Sequence, residues 1–579
     1  MERMTDAWHA DDAREWRSGR WSLEMRGDEL ADLAYDGRVV LRSVRAVVRD
    51  RNWDTAGLVV DRVDASSLAL TLHVHSTGLG SDLRGVVRAE ARGGRLRVIA
   101  DLESQTAFET NRTGLVVLHP PVLAGAPLLV THPDGAAAAS TFPARISAHQ
   151  PAFDISALAW SHDGLDVAVR FGGDVFEMED QRNWTDASYK TYSRPLALPF
   201  PYPLAAGERV VQSIDIEVSG EPTAADADAV TRIRLAEGPA LPEIAVSAST
   251  APDPAPSPAP GPAPAAVLVE LDLATRNWRA ALARAAASGA PLDVRFVLAD
   301  DDPTRIHEGA LALQGLPVSR VTAFWPTGPA RHVSDIDAIA LLREALADAG
   351  VQTRVVGGAR SHFTELNREH HRLPRGLDGI VFSSTPLFHS LSTAQLVESP
   401  PIQRLVATQG VELAGGLPVH LGPISLRPHF NDVATTAPPM PAHDDLRDGY
   451  GSALTPAADP RQASPELAAW TIASAAALAV PGVATLTYFE QWGPRGLRAA
   501  AGTAFPVLDA VTALSALAGR PGLRGDSPDG LVWALGARAD GRDTVLVANL
   551  DRAPRTIEVE LPDGATRTVE IAPGAFARI

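Results

Sequence analysis

The sequence predicts a multidomain protein of the β and α/β classes: an N-terminal antiparallel β-sandwich, a central (β/α)8 TIM-like barrel and a small C-terminal β-domain. The chain has 579 residues, which is too long for one hydrophobic core. Its first part alternates apolar and polar residues with period 2, whereas its middle part alternates apolar strands with amphipathic helices. From these observations we predict domains at residues 1–240, 241–522 and 523–579.

The predicted sandwich rests on short alternating segments between Trp21 and Val218. Three of them are "LAYDGRVVLRSVRAVVRD", "LALTLHVHST" and "GLDVAVRFGG", with Gly, Asp and Asn residues between the segments. Period-2 segments separated by turn residues are typical of antiparallel strands that bury one face. Their number and spacing favour two packed sheets.

The predicted barrel begins near Leu241, where the period changes. We count eight apolar strands from Leu241 to Gln491, and most are followed by a helical pattern such as "DIDAIALLREALADAG". Such alternation predicts parallel βα units, and eight of them favour a (β/α)8 barrel. A doubly wound sheet is the alternative, but no glycine-rich phosphate loop follows any strand. The tail returns to short strands with hairpin turns, which predicts the C-terminal β-domain.

One segment disturbs this count. The insert "APDPAPSPAPGPAPAA", residues 251–266, is rich in proline and cannot be helical. It falls where the first barrel helix is expected. Either that helix is absent and an extended loop bridges the gap, or the barrel begins later and has one strand fewer.

Composition excludes several classes of function. The formal net charge of −18 and the absence of any Lys/Arg-rich run argue against a nucleic-acid partner. The chain has no cysteine, which excludes disulfides and thiolate metal sites. We find no signal peptide and no apolar run of about 18 residues, so we expect a cytoplasmic protein without a membrane partner. The sequence does not determine the oligomeric state.

Two glutamates stand out at the predicted strand ends. Glu365 lies in "GGARSHFTELNRE" and Glu490 ends "VATLTYFEQWG". They belong to strands three apart in the predicted barrel, so we expect them to face each other across its mouth, where barrel enzymes carry their chemistry. A general acid and a base or nucleophile need this arrangement. The alternative is a helix cap at Glu490 and a solvated loop at Glu365.

Other polar residues near the strand ends are candidates for substrate binding. In "SLRPHFN", Arg427 and His429 stand at alternate positions and so share a face, and Asp272 ends "VELD". A buried strand-end network would explain them nearly as well. A metal site at His362, Glu365 and the neighbouring histidines does not match the helical zinc patterns, so we expect no metal and no cofactor.

The segment from Phe176 to Leu204 is unusually polar. It contains Lys190, the only lysine of the chain, in a protein whose other basic residues are arginine. A compact ammonium and a planar guanidinium are not interchangeable in a tight site. We predict that the segment leans over the barrel mouth. Its candidate binding residues are Glu179, Asp180, Arg182, Asn183 and Lys190. The alternative is an interdomain seam whose charges pair with one another.

Several of these stretches together resemble the D-apionate lactonase family. The resemblance rests on "RTGLVVLHP", "FEMEDQRNWTDASYKTYSRPL", "FTELNR", "LRPHFN" and the strand that ends at Glu490. It covers nearly the whole chain. It implies hydrolysis of D-apionolactone to D-apionate in D-apiose catabolism, and a barrel between β-domains related to glycoside hydrolases. The proline-rich insert departs from the expected family pattern.

The leading hypothesis is therefore hydrolysis of a sugar lactone. Glu490 would activate water or attack the carbonyl, and Glu365 would protonate the leaving ring oxygen. Arg427, His429 or Lys190 would stabilise the oxyanion, while polar groups such as Asn367 would bind hydroxyls. The alternatives are a glycoside hydrolase that uses the same two carboxylates and a non-catalytic carbohydrate-binding protein.

Overall fold

The N-terminal part consists of antiparallel strands. The computed structural model describes residues 7–9, 13–223, 231–257, 263–539 and 541–579. The strands of this part are β1 (Arg14–Ser18), β2 (Trp21–Arg26), β3 (Glu29–Tyr35), β4 (Arg38–Arg49), β5 (Thr55–Ala56), β6 (Val59–Ala65), β7 (Ala69–Ser76), β8 (Leu83–Arg92), β9 (Arg95–Ser104), β10 (Phe108–Thr110), β11 (Arg112–His119), β12 (Pro127–Thr131), β13 (Ala137–Thr141), β14 (Ala152–Ile155), β15 (Ala157–His162), β16 (Leu165–Gly172), β17 (Phe176–Asp180), β18 (Tyr189–Ser193), β19 (Tyr202–Leu204) and β20 (Arg209–Gly220).

These strands form two nine-stranded sheets. One has the order β1-β2-β3-β4-β11-β18-β17-β14, with β5 paired to β4; the other has the order β13-β12-β15-β16-β20-β9-β8-β7-β6. The strands β10 and β19 pair separately. Apolar residues of both sheets, such as Leu33 and Leu72, belong to one core, so the sheets pack face to face. Along β7 every second residue is buried, as the period-2 pattern predicts.

The middle part is a sheet of parallel strands that nearly closes on itself. Its strands are β23 (Glu243–Ser247), β24 (Val267–Asp272), β25 (Leu292–Val297), β26 (Val318–Phe324), β27 (Arg354–Val355), β28 (Gly357–Gly358), β29 (Ile380–Ser384), β30 (Val419–Ile424) and β31 (Val483–Glu490). The order is β27-β26-β25-β24-β23-β31-β30-β29-β28. Only Val356 separates the two end strands along the chain. This barrel and the antiparallel N-terminal sheets confirm those parts of the predicted fold class.

Helices connect most of the barrel strands. They are α1 (Trp278–Ala286), α2 (Arg305–Ala312), α3 (Ile336–Asp348), α4 (Phe363–Glu369), α5 (Thr393–Ala414), α6 (Glu466–Leu478) and α7 (Val507–Leu517). Short 3₁₀ turns cover Pro121–Leu123, Gln181–Trp184, His370–Arg372, Gly451–Leu454 and Pro460–Ala463. None of the helices in the described part of the chain has the length and hydropathy needed to cross a bilayer.

The proline-rich insert lies between β23 and β24. Its described residues, 251–257 and 263–266, contain no helix, and residues 258–262 lie outside the described part of the chain. The strand β23 pairs with both β24 and β31. Of the two alternatives, the strand predicted as first is therefore part of the barrel sheet.

The C-terminal strands form two further sheets that include residues 231–240. The strands are β21 (Thr231–Arg234), β22 (Ala236–Ala240), β32 (Pro521–Arg524), β33 (Val532–Ala539), β34 (Arg542–Asn549), β35 (Arg555–Glu560), β36 (Thr566–Ile571) and β37 (Phe576–Arg578). The orders are β22-β32-β33-β34-β37 and β21-β35-β36. Helix α6 packs against β31 of the barrel on one side and against β33 and β34 of a C-terminal sheet on the other. Nearly all of its residues are therefore buried.

Candidate active site

A large cavity lies at the carboxyl ends of the barrel strands, beneath the N-terminal sheets. Its volume is about 1930 Å³. The barrel contributes residues from the ends of its strands, and the N-terminal part contributes residues of β11, β17 and β18. A cavity in this position is where barrel enzymes bind their substrates, because the strand ends and the loops after them converge there.

Glu490 lies in this cavity at the end of β31. Its carboxylate accepts hydrogen bonds from the Thr250 backbone N–H at 2.9 Å, from the Thr250 hydroxyl at 2.9 Å and from the Ser452 hydroxyl at 3.2 Å. Arg495 Nε donates to it at 3.1 Å. The preceding residue, Phe489, has a φ of +55°. Such a backbone conformation is strained for an aromatic residue and is common at functional sites. The carboxylate is therefore held in one orientation.

Glu270 is a second carboxylate of the cavity. Arg360 binds it with two hydrogen bonds, of 2.6 and 3.0 Å, and His429 Nε2 lies 3.3 Å from it. Burial by itself would raise the pKa of Glu270, but the charge of Arg360 and the hydrogen bonds from Arg360 and His429 outweigh burial and hold this pKa well below its ordinary value. Tyr450 lines the same cavity as Glu490 and Glu270, and burial together with the charges of these two carboxylates raises the pKa of its phenol. The two carboxylates thus belong to one site.

The other residues predicted at the strand ends also line the cavity. Asp272 accepts a hydrogen bond from the Ala274 backbone N–H at 3.0 Å, and burial raises the pKa of its carboxyl. Arg427 donates to Asp459 at 3.2 Å. His429 contacts Glu270, and burial lowers the pKa of its imidazole. The structure therefore brings these three residues together with Glu490.

The N-terminal part contributes Lys190 and Glu179 to the wall of the cavity. Lys190 Nζ lies 2.5 Å from a Glu179 carboxylate oxygen and 5.0 Å from the centre of the Tyr192 ring. Burial lowers the pKa of Lys190 to about 8, although the charge of Glu179 opposes this effect. Lys190 is 6% exposed and lines the cavity. The ammonium group of the only lysine in the sequence is therefore part of the cavity surface.

Four other predicted binding residues do not line the cavity. Asp180 and Arg182 form a buried pair at 2.7 Å, and Arg182 also donates to the Pro143 carbonyl at 2.7 Å. Asn367 donates to Asn183 at 3.0 Å, across the contact between α4 and the turn after β17. Because their polar atoms are used in these contacts, this half of the segment matches the interdomain-seam alternative, whereas Lys190 and Glu179 face the cavity.

Glu365, which we predict at the barrel mouth, does not line the cavity that Glu490 lines. It lies in the first turn of α4, outside the cavity lining, and its carboxylate accepts a hydrogen bond from the Ser361 hydroxyl. Ligand atoms of Glu365, His362 and Asp432 lie within 4.8 Å of one another. Burial and the neighbouring Asp432 raise the pKa of Glu365 to about 8. His370 and its neighbour are not part of this group, which differs from the cluster considered in the sequence.

Sequence reasoning missed a dyad at the domain contact. His389, after β29, lines the cavity, and its Nδ1 lies 2.9 Å from a carboxylate oxygen of buried Asp186. Burial lowers the pKa of His389 and raises that of Asp186. The two residues are 203 positions apart, so no local pattern pairs them. Glu270 could have been found, because it shares a strand face with Asp272.

The cavity surface is more cationic than the chain as a whole. Seven Asp and Glu side chains of the described residues line it, against nine Arg and Lys side chains. The cations are Arg49, Arg112, Lys190, Arg295, Arg331, Arg360, Arg368, Arg427 and Arg495. Since the whole chain carries a formal charge of −18, this local excess favours an anion or a developing negative charge in the cavity.

Two protein-family models match the chain. Residues 1–221 match the N-terminal domain of D-apionate lactonase, and residues 247–519 match the TIM barrel domain of D-apionate lactonase. The D-apionate lactonase of Brucella anthropi is 30% identical over 558 aligned residues, and the alignment covers 87% of each chain.

Solved structures show weaker likenesses. A β-arabinopyranosidase is 11% identical with a TM-score of 0.30, and the match covers 98% of each chain. A GH30 endoxylanase from Clostridium papyrosolvens is 9% identical with a TM-score of 0.39, covering 60% of this chain and 99% of the xylanase. Likenesses at this level carry no argument about function.

Proposed function

The chain belongs to the D-apionate lactonase family, and on this premise we propose that it hydrolyses D-apionolactone to D-apionate. It is a lactonase, an enzyme of the hydrolase class. The observation that carries the proposed substrate chemistry is the cationic cavity around Glu490. Hydrolysis of a neutral lactone passes through an oxyanion and ends in a carboxylate, and both species are stabilised by such a surface.

In the proposed reaction Glu490 is the general base and the Tyr450 hydroxyl binds the oxyanion. Glu490 accepts a proton from water as the water oxygen attacks the lactone carbonyl carbon. The carbon–ring-oxygen bond then breaks, and Glu490 returns the proton to the leaving oxygen. One carboxylate can serve both steps because both oxygens are bonded to the same tetrahedral carbon. Arg495 and Thr250 support this role by holding the carboxylate in place.

Other residues have supporting roles in this proposal. Glu270 acts as a positioning residue, because its carboxylate binds both Arg360 and His429. The substrate hydroxyls bind Asp272, Arg427, Lys190 and Glu179, which all line the cavity. Glu490, and not Glu365, protonates the leaving ring oxygen in this proposal, because the carboxyl of Glu365 lies outside the cavity. We assign to Asp180, Arg182, Asn183 and Asn367 the positioning of the wall that carries Lys190.

The number of barrel strands, the extent of the C-terminal domain, the cellular location and the lack of a nucleic-acid partner are also proposals. We propose that β27 and β28 are one strand interrupted at Val356, which makes the barrel eight-stranded. The C-terminal sheets count as a separate small β-domain, to which residues 231–240 belong rather than to the sandwich. A location in the cytoplasm remains a prediction, as does the absence of a nucleic-acid partner.

The test is a proton-release assay on a panel of aldonolactones, beside a panel of nitrophenyl glycosides. We expect proton release from D-apionolactone at a higher kcat/KM than from other aldonolactones, and no release of nitrophenol. Cleavage of aryl glycosides without lactone hydrolysis would instead support the glycoside hydrolase. Inactivity on both panels would favour a carbohydrate-binding protein.

A further inference from the structure

We propose that His362, Glu365 and Asp432 bind one divalent transition-metal cation, of the class of Zn²⁺ or Mn²⁺. The site is separate from the cavity described above, because none of the three side chains lines that cavity. One ligand atom from each residue lies within 4.8 Å of the other two. The residues come from the start of α4 and from the segment after β30, so the fold brings them together from distant parts of the chain.

Buried polar atoms without partners indicate that something is bound there. Both carboxylate oxygens of Asp432 and the Nδ1 atom of His362 are buried, and none of these three atoms has a hydrogen-bond partner among the residues that the structure describes. The side chains of His362 and Asp432 are 3% and 2% exposed. A buried carboxylate that nothing compensates is strongly unfavourable, and native proteins pair such groups or use them to coordinate metals.

The distances fit ligands of a common ion. His362 Nδ1 lies 3.8 Å from an Asp432 carboxylate oxygen, which is too long for a hydrogen bond. With metal–ligand bonds of about 2.1 Å, two ligands of one ion are about 3–4 Å apart. The separation therefore leaves room for a cation between the two side chains.

The orientation of His362 agrees with this role. Its other nitrogen, Nε2, is hydrogen-bonded to the Thr385 hydroxyl, and in the tautomer in which Nε2 donates this bond the Nδ1 lone pair is on the side of Asp432. Metal-binding histidines use their second nitrogen in this way to fix the ring and the tautomer. One imidazole and two carboxylates suit a cation that accepts mixed nitrogen and oxygen ligands.

A cation at this position would tie together two segments that line the cavity. His362 follows Arg360, and Asp432 follows His429 by three positions; Arg360 and His429 both contact Glu270. Binding of the ion would thus hold these two groups in register. Since the ion itself does not line the cavity, we expect a positioning role rather than contact with substrate.

The test is direct metal binding by the full chain. The protein is stripped with a chelator, dialysed, and titrated separately with Zn²⁺ and Mn²⁺ by calorimetry, with elemental analysis after gel filtration. We expect one equivalent per chain and a rise in Tm of about 2–4 °C at saturating metal. Asp432→Asn and His362→Gln should weaken binding at least tenfold. The matched control is His370→Gln, an exposed histidine eight residues away, which should bind like wild type.

Two results would overturn the proposal. The first is a wild-type chain that binds no ion, and the second is equal binding by wild type and Asp432→Asn. If the variants fail to fold, pulsed EPR of the wild-type protein with Mn²⁺ still shows whether a histidine nitrogen coordinates the ion. Coupling to one histidine nitrogen supports the site, and a spectrum with water ligands alone refutes it. None of these readouts depends on lactonase activity. A failure of the metal site can therefore be distinguished from a failure of the proposed reaction.

Discussion

Replacing Glu490 by Gln tests the proposed general base most sharply. The change keeps the shape of the side chain and removes its charge. The carboxylate accepts hydrogen bonds from Thr250, Ser452 and Arg495. An amide offers one acceptor oxygen where the carboxylate offers two, so its NH₂ group must face at least one of these donors. We therefore expect an effect on stability as well as on catalysis.

The two effects differ in size and in what they change. Loss of a general base lowers kcat by about 10²-fold or more, which corresponds to at least about 2.7 kcal/mol in the activation free energy. Removing one partner of a buried ion pair costs up to about 3–5 kcal/mol of unfolding free energy. The cost here is smaller, because the amide oxygen still accepts a hydrogen bond. Only the first effect acts on kcat of the folded enzyme.

A matched control separates these effects. Glu29 pairs with Arg42 at 3.2 Å, and both side chains are 5% exposed. Glu490 pairs with Arg495 at 3.1 Å, and both are 7% exposed. Glu29 lies on β3, away from the cavity, so Glu29→Gln should lower Tm and leave kcat unchanged. Because Arg42 keeps Glu398 as a second partner, this control gives a lower bound on the loss of stability.

The assay is proton release from D-apionolactone, with circular dichroism to confirm folding. We expect Glu490→Gln to lose at least 10² in kcat with a folded spectrum. A variant with kcat within about threefold of wild type would make Glu490 a structural residue and place the chemistry elsewhere. An equal loss in Glu29→Gln would show that the assay reports instability.

Three further predictions concern Lys190 and His389, which both line the cavity. Lys190→Met and Lys190→Arg should each lower kcat/KM about tenfold, because neither offers a compact ammonium at the same point; if both match wild type in this assay, the lone lysine does not act on substrate. Burial lowers the pKa of Lys190 to about 8 from an ordinary 10.5, so between these pH values the unfolded chain holds a proton that the folded chain has released. The free energy of unfolding of wild type should therefore rise with pH relative to Lys190→Met, as measured by urea denaturation, and a falling difference would contradict the assignment. His389→Asn should raise KM severalfold with little change in kcat, since this residue lines the cavity and takes no part in the proposed proton transfers; a 10²-fold loss of kcat would move the reaction to the His389–Asp186 dyad.

The sequence predicted the parts of the fold that depend on local periodicity. Period 2 in the first part of the chain and alternating strands and helices in its middle part are consequences of which faces are buried. The same reasoning predicted which residues follow barrel strands. Glu490, Asp272, Arg427 and His429 share the cavity because parallel strands end at the same edge of the sheet. Lys190, the only lysine of the sequence, lies on a segment that reaches this cavity.

Only the tertiary structure decided how distant segments meet. Glu365 follows a strand, but from the first turn of α4 its carboxyl lies beside Asp432 and outside the cavity that Glu490 lines. Asp186 and His389 come from different domains. Alternation determines which face of a strand a side chain occupies, but not which residue of another segment lies opposite, because packing and loop geometry set that position. Pairwise chemistry between remote residues therefore follows from the folded arrangement, whereas the existence of the strands and of their polar ends follows from the sequence.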